Sequence, residues 1–243
     1  MLARKTLATL FVVLMIAGAA AADIKIVKMN HRDGFTMMGR TQPPSDVEQT
    51  SWIGTDRMSM NQGDTTTIVR ADTGKLIVVD HADRTYSVLD LPIDLGKLLP
   101  PEMAKGFLEM MTFEVTVTPT DEHTTIGDWE VRRYNMTMKS KMMTLEATMW
   151  ATTDVDLDQE AFHHLYEEMV SLQPGMADVA KKMRVIEGIV IKQESLMTMM
   201  GDTKVKSSDI TASIEELDPP AGIYDPPADY TEKTFDLMAS MQR

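Results

Sequence analysis

The sequence predicts a mainly β protein, a curved antiparallel sheet wrapped on a few helices inserted at two points. Three observations carry that prediction. Short segments alternating apolar and polar residues recur about every ten residues, with polar turns between them. Helical periodicity is confined to two stretches. No fixed-period repeat or low-complexity linker divides the rest, so residues 23–243 read as one domain ending in a Pro-rich extension.

The N-terminus comes first. Arg4 and Lys5 precede an apolar run from Leu7 to Ile16, and Ala20-Ala21-Ala22 supplies a small-residue cleavage pattern. Residues 1–22 are therefore expected to be a secretory signal peptide cut near Ala22, because the apolar run is too short to cross a bilayer. No Cys follows it, so lipid attachment at that cut is excluded. The expected location is the periplasm or outside the cell, with no integral membrane span in the mature chain.

The strands follow in order. DIKIVKMNH alternates, then TSWI, the Gly54-Thr55-Asp56 turn and RMSMNQ. Gly63-Asp64 leads to TTTIVR, Asp72-Thr73-Gly74 to KLIVVD, and HADR to TYSVLDL. At Leu98 the period changes: Pro100 and Pro101 open a helix with Met103, Phe107, Met110 and Met111 on one face. Strands resume with FEVTVTP, HTTIGDWEVRRYNMTM and MMTLEATMWAT. A second helix, DQEAFHHLYEEMVSLQ, is capped by Asp158 or Asp156, and its stripe of Phe162, Leu165, Tyr166, Met169 and Val170 needs a sheet to lie against. Pro174-Gly175 ends it, and MADVAKKMR adds a further turn or two. VIEGIVIKQESLMTMM and KVKSSDITASIEEL form a hairpin across Gly201-Asp202. DPPAGIYDPPADYTEKTF is extended before a short C-terminal helix.

Composition narrows the function. There are 0 Cys, so an exported chain must rely on an ordinary hydrophobic core. The formal charge is -13, and loss of Arg4 and Lys5 with the leader takes it to -15. That excess argues against nucleic acid or an anionic bilayer held by charge, and leaves cations or apolar molecules as partners. Nothing in the sequence specifies an oligomeric state.

The ordered set WIGTDRMSMNQGDTTTIVRADTGKLIVVDHADRTYSVLD, with Arg84-Thr85-Tyr86 near its fourth strand, then IGDWEVRRY, LEATMWATTDV, GIVIKQE and VKSSDITASIEELDPPAGIYDPPADY, resembles an exported domain family of unknown function. That family belongs to the LolA/LolB-like, or lipoprotein carrier-like, superfamily. The likeness covers roughly residues 50–232. It implies a half-open β-barrel closed on one side by helices, with an apolar cavity between, and relatives of this kind carry acyl chains through the periplasm.

Methionine is the chemical signature of the chain. There are 23, of which Met1 and Met15 leave with the leader. Alternate residues of a strand share a face, so Met58 pairs with Met60, Met136 with Met138, Met197 with Met199, and Met143, Leu145, Ala147 and Met149 form a stripe. Lys139-Ser140-Lys141 is then the turn of a hairpin with Met on both arms. Such stripes serve as core packing, as a pliable lining for an apolar ligand, or as thioether ligands for Cu(I). The ligand-cavity candidates are Trp52, Met58, Met60, Met136, Met138, Met143, Leu145 and Met149.

Other residues carry less. His163 with Glu167 and His164 with Glu168 are i,i+4 pairs of metal-binding type, but no third ligand accompanies them, so no metal site is assigned. His31, His81 and His123 read as surface residues near turns. Gly63-Asp64, Gly127-Asp128 and Gly201-Asp202 are turns without calcium-loop spacing. Trp52, Trp129 and Trp150 are core anchors or sit at a cavity mouth. No nucleophile elbow, zinc-protease helix motif or phosphate loop is present. The expected function is a non-enzymatic periplasmic carrier of an apolar lipid or acyl chain, without a cofactor. The alternatives are Cu(I) handling and a structural or partner-binding module with a filled core.

Overall fold

The computed structural model describes residues 22–37, 40–94, 98–99, 112–173, 175–199 and 203–237. The leader through Ala21, the expected helix bearing Met103, Phe107, Met110 and Met111, the Gly201-Asp202 turn and the C-terminal helix lie outside the described residues.

Strand β1 (Asp23–Arg32) pairs antiparallel with β4 (Ser45–Ile53), and a small ribbon of β2 (Phe35–Met37) and β3 (Arg40–Gln42) lies between them in the chain. From β4 the chain meanders through β5 (Arg57–Gln62), β6 (Thr65–Arg70), β7 (Lys75–Asp80) and β8 (Thr85–Asp90). A second meander comprises β9 (Glu114–Ile126), β10 (Trp129–Lys139) and β11 (Met143–Thr152). Helices α1 (Gln159–Val170) and α2 (Met176–Met183) come next, followed by β12 (Ile189–Met199), β13 (Lys204–Leu217) and β14 (Thr231–Glu232). All of these strands but the two of the ribbon join one 12-stranded sheet, ordered β14-β8-β7-β6-β5-β4-β1-β13-β12-β11-β10-β9. Among the described residues only the β14–β8 pairing is parallel. β1 is the seam, holding β4 on one edge and β13 on the other.

The mainly β, antiparallel character agrees with the sequence pattern, as do most hairpin turns. Gly63 and Gly127 adopt positive φ (57° and 59°), the conformation that a Gly-Asp turn demands and a Cβ resists. Two extents differ from expectation. TSWI is only the end of β4, whose earlier half is mostly polar and alternates half-buried with exposed residues, and β9 runs unbroken from Glu114 to Ile126 although Pro119 lies within it. Proline is tolerated there because β9 is the sheet's edge. Strand β14 has no alternation to reveal it.

The sheet bends around the helices. α1 packs on β5 and β6, α2 packs on β9, and the two helices pack on each other. In a flat sheet β6 and β9 would stand ~38 Å apart at ~4.8 Å per strand, whereas packed helix axes are ~10 Å apart. Only a strongly curved sheet brings both surfaces to one helix pair. Register irregularities in β1–β13, β9–β10 and β11–β12 supply local bends. The outermost strands, β14 and β9, do not pair, so the sheet is open rather than a closed barrel.

Among the described residues three clusters make the core. On the helix side of β1 and β4–β7, Ile24, Ile26, Ile53, Met58, Val69 and Leu76 pack against Leu165 and Met169 of α1. At the other end, Tyr134, Met136, Ala147 and Met149 pack with Ile186 and Met183. On the opposite face, Trp52, Ile68, Ile77 and Val79 are covered by Tyr224 of the Pro-rich segment. Strands β6 and β7 are thus buried on both faces, which is why TTTIVR and KLIVVD carry consecutive apolar residues. The cover is tied down by the Tyr224 hydroxyl, which donates to Asp23 Oδ2 at 2.5 Å, and by Arg57 stacked 4.7 Å above the Tyr224 ring. Arg70 pairs with Asp225 at 2.9 Å and Arg84 pairs with Asp229.

Candidate functional site

A cavity of about 310 Å³ lies between the sheet and the helices. Cross-strand register explains its floor. Ile26 stands opposite Ser51, Ser51 opposite Met60, and Ile53 opposite Met58, so all five share one face. The roof comes from α1, started by Asp158, whose carboxylate accepts from the amides of Glu160 and Ala161 at 3.0 Å each. Phe162 and Tyr166, one turn apart, stack with centroids 6.1 Å apart and face the cavity, while Leu165 and Met169 are driven into the core. Met183, Ile186, Ile189 and Val190 close the far wall.

One end of the cavity is polar. Lys28 continues the inward parity of Ile24 and Ile26, and so places an ammonium where the pattern calls for an apolar side chain. Asp209 of β13 faces the same space, opposite Asn30 on β1 and Gln193 on β12. Burial pushes the Lys28 ammonium below the ordinary lysine range, opposed by the Asp209 charge. Burial pushes the Asp209 carboxyl up, opposed in turn by Lys28. Burial, and then the Asp209 charge, raise the Tyr166 phenol. Among the described residues no hydrogen bond or direct ion pair engages the Lys28 ammonium. His163 is also in the lining; burial, and then the Arg184 cation, hold its pKa down.

The eight candidates from the sequence separate. Met58 and Met60 line the cavity. Met136, Met138 and Met149 lie on the same sheet face but are buried, Met149 completely, and Met136 and Met149 belong to the packed cluster under α2. Met143 and Leu145 stand farther along that face, opposite Met199 and Met197, and are half-buried. Trp52 is on the other face, opposite Ser59, under the Pro-rich segment. The hairpin register across Gly54-Thr55-Asp56 carries the signal: if Ile53 pairs with Met58, Trp52 cannot share Met58's face. Lys28, Asp209, Tyr166 and Gln193 join the cavity without having been among those candidates, although Lys28's parity with two isoleucines marks it.

The histidines have more specific surroundings than their sequence context reveals. His31 lies between Asp46 (Nδ1 to Oδ1, 2.7 Å) and Asp33 (Nε2 to Oδ1, 3.1 Å), and hydrogen bonds to Asp46 and then Asp33 raise its pKa. His81 bridges Thr66 and Tyr230 at 2.8 and 3.1 Å. Glu167, the expected partner of His163, instead accepts from Arg184 Nε at 2.6 Å. Among the described residues no group of three or more His, Asp or Glu is gathered to hold a metal ion. A broader trough of about 700 Å³ runs over β10–β13. Within its lining, Asn135, Thr137, Glu146 and Glu194 are polar and belong by register to the face opposite Met136, as does the apolar Leu196.

Among the described residues no helix is long and apolar enough to cross a membrane. No protein-family model and no curated protein sequence matches the chain.

Proposed function

We propose that this is an exported, periplasmic, non-enzymatic binding or carrier protein for an apolar ligand, an acyl chain or lipid. The single observation that carries the reading is the cavity between Met58 and Met60 below and Phe162, Tyr166 and Met183 above. Its volume of about 310 Å³ is at the lower end of the ~300–1,000 Å³ usual for small-molecule sites. Flexible thioether side chains on both walls let it adapt to a guest. The leader-like N-terminus and the ordered resemblance to lipoprotein carrier-like proteins support the same reading, and the open sheet on its helices fits a half-open barrel of that kind. Fold likeness alone does not assign a ligand, so the cavity bears the argument.

The test is native mass spectrometry and solvent extraction of the purified mature protein, with uptake of a fluorescent acyl-chain probe. The expected outcome is a bound apolar molecule or saturable uptake, lost when Met60→Trp fills the cavity and retained in Met149→Leu. An empty protein that takes up no probe overturns the reading.

A further inference from the structure

The polar end of the cavity adds a constraint on the ligand's head. Lys28 and Asp209 are diagonal neighbours across β1 and β13: Lys28 stands opposite Thr211, and Asp209 is two residues further along that strand. Both face the cavity, and no direct ion pair joins them among the described residues. Around them are neutral amides, Asn30 and Gln193, rather than further charges. We propose that the cavity takes a single-chain amphiphile with a zwitterionic phosphate–amine head, its phosphate on Lys28, its amine on Asp209 and its chain along Met58, Met60 and Met183.

This inference rests on reading the cavity as an apolar-ligand site. The head follows from charge accounting at the polar end of the cavity, where Lys28 and Asp209 are half-buried. A carboxylate head would satisfy Lys28 but confront Asp209, and an amine head would do the reverse. An uncharged head would cover two half-buried opposite charges while giving a partner to neither, which is the costlier arrangement. A head carrying both charges engages both side chains at once. The resulting pairs would be charge-assisted hydrogen bonds in a low-dielectric setting, where such bonds are strongest. The single chain follows from volume, since about 310 Å³, at the lower end for small-molecule sites, excludes the several chains of a lipoprotein anchor. The overall charge of -13 adds to the case against a simple anionic amphiphile.

The experiment is competition against a fluorescent acyl-chain probe by three amphiphiles of equal chain length: a lysophosphatidylethanolamine, the free fatty acid and the monoacylglycerol, each below its micelle concentration. In the unmodified protein the lysophosphatidylethanolamine is expected to displace the probe at concentrations about tenfold lower than either competitor. Lys28→Met and Asp209→Asn are each expected to weaken lysophosphatidylethanolamine binding about tenfold, with circular dichroism and Tm showing that the variants fold. Asp209→Asn should in addition strengthen fatty-acid binding. Equal displacement by all three, preference for the fatty acid, or indifference to both substitutions overturns the zwitterion assignment while leaving the carrier reading intact. Failure of the probe and all three competitors to bind overturns both.

Discussion

Met149 and Met60 occupy the same face of one sheet, yet truncating them should have very different consequences. Met149 is fully buried against Tyr134, Met136 and Ile186, whereas Met60 is half-buried and borders the cavity. For Met149→Ala, the atoms lost beyond Cβ forfeit about 2 kcal/mol of transfer free energy. The void left in a packed cluster adds about 1.5 kcal/mol, so the expected loss is about 3.5 kcal/mol. For Met60→Ala the new space merges with an existing cavity. The removed atoms already lack neighbours on one side, so only part of the transfer term applies and the loss is about 1 kcal/mol. At ~2–4 °C per kcal/mol for a domain of this size, Met149→Ala should lower Tm by about 7–14 °C and Met60→Ala by about 2–4 °C. Urea unfolding with a common m-value checks the free energies directly. Met149→Leu, which keeps the volume and removes the sulfur, should cost less than about 1.5 kcal/mol. Equal losses at positions 60 and 149 would refute the distinction between packed and open ends of the Met face. A loss from Met149→Leu as large as that from Met149→Ala would show that the thioether itself matters, as metal binding requires.

Two further substitutions test other parts of the structure. Tyr224→Phe removes the hydroxyl that donates to Asp23 and should cost about 1.5–3 kcal/mol in urea unfolding; a loss below about 0.5 kcal/mol would mean the contact contributes nothing. The same variant should alter the alkaline limb of stability. Burial, and then the hydrogen bond to Asp23, hold the Tyr224 phenol well above the ordinary tyrosine range. A raised folded pKa gives stability that is complete below the unfolded value of about 10 and is lost as pH rises above it. Tyr166 is shifted in the same direction, so Tyr224→Phe should flatten that decline rather than abolish it. Finally, Gly188 has φ 85°, and a Cβ there would lie 1.8 Å from the Thr152 carbonyl oxygen. Because the obstacle is backbone, Gly188→Ala should cost more than about 3 kcal/mol or prevent folding. A variant with Tm within about 2 °C of the parent would contradict the close approach of β11 to the segment entering β12.

Much of the architecture is legible in local chemistry. Alternation in RMSMNQ and WEVRRYNMTMK, the Gly63-Asp64 and Gly127-Asp128 turns and the Asp158 cap each depend on neighbours within a few residues, and each of these elements forms near its expected place. Elements whose identity depends on a distant partner are harder to read. β14 is short and polar, and exists because Thr231 and Glu232 meet Thr85 and Tyr86. The polar half of β4 is a strand because β1 pairs along it. Trp52 suits a cavity by its size and aromatic character, but its parity sends it to the face that Tyr224 covers.

The period of each strand, and with it which methionines share a face along one strand, is set locally, because side-chain direction in a strand alternates whatever the fold. Composition alone establishes that no disulfide shares the burden of stability, since there are 0 Cys. That the faces of Met58, Met136 and Met149 are one continuous face emerges in the folded chain alone, because it depends on β1 pairing with β13 nearly two hundred residues away. Curvature is likewise non-local: it arises where one helix pair must cover two ends of one sheet. The same curvature separates the methionines into a packed end under α2 and an open end under α1, and brings Lys28 and Asp209 to face the space between.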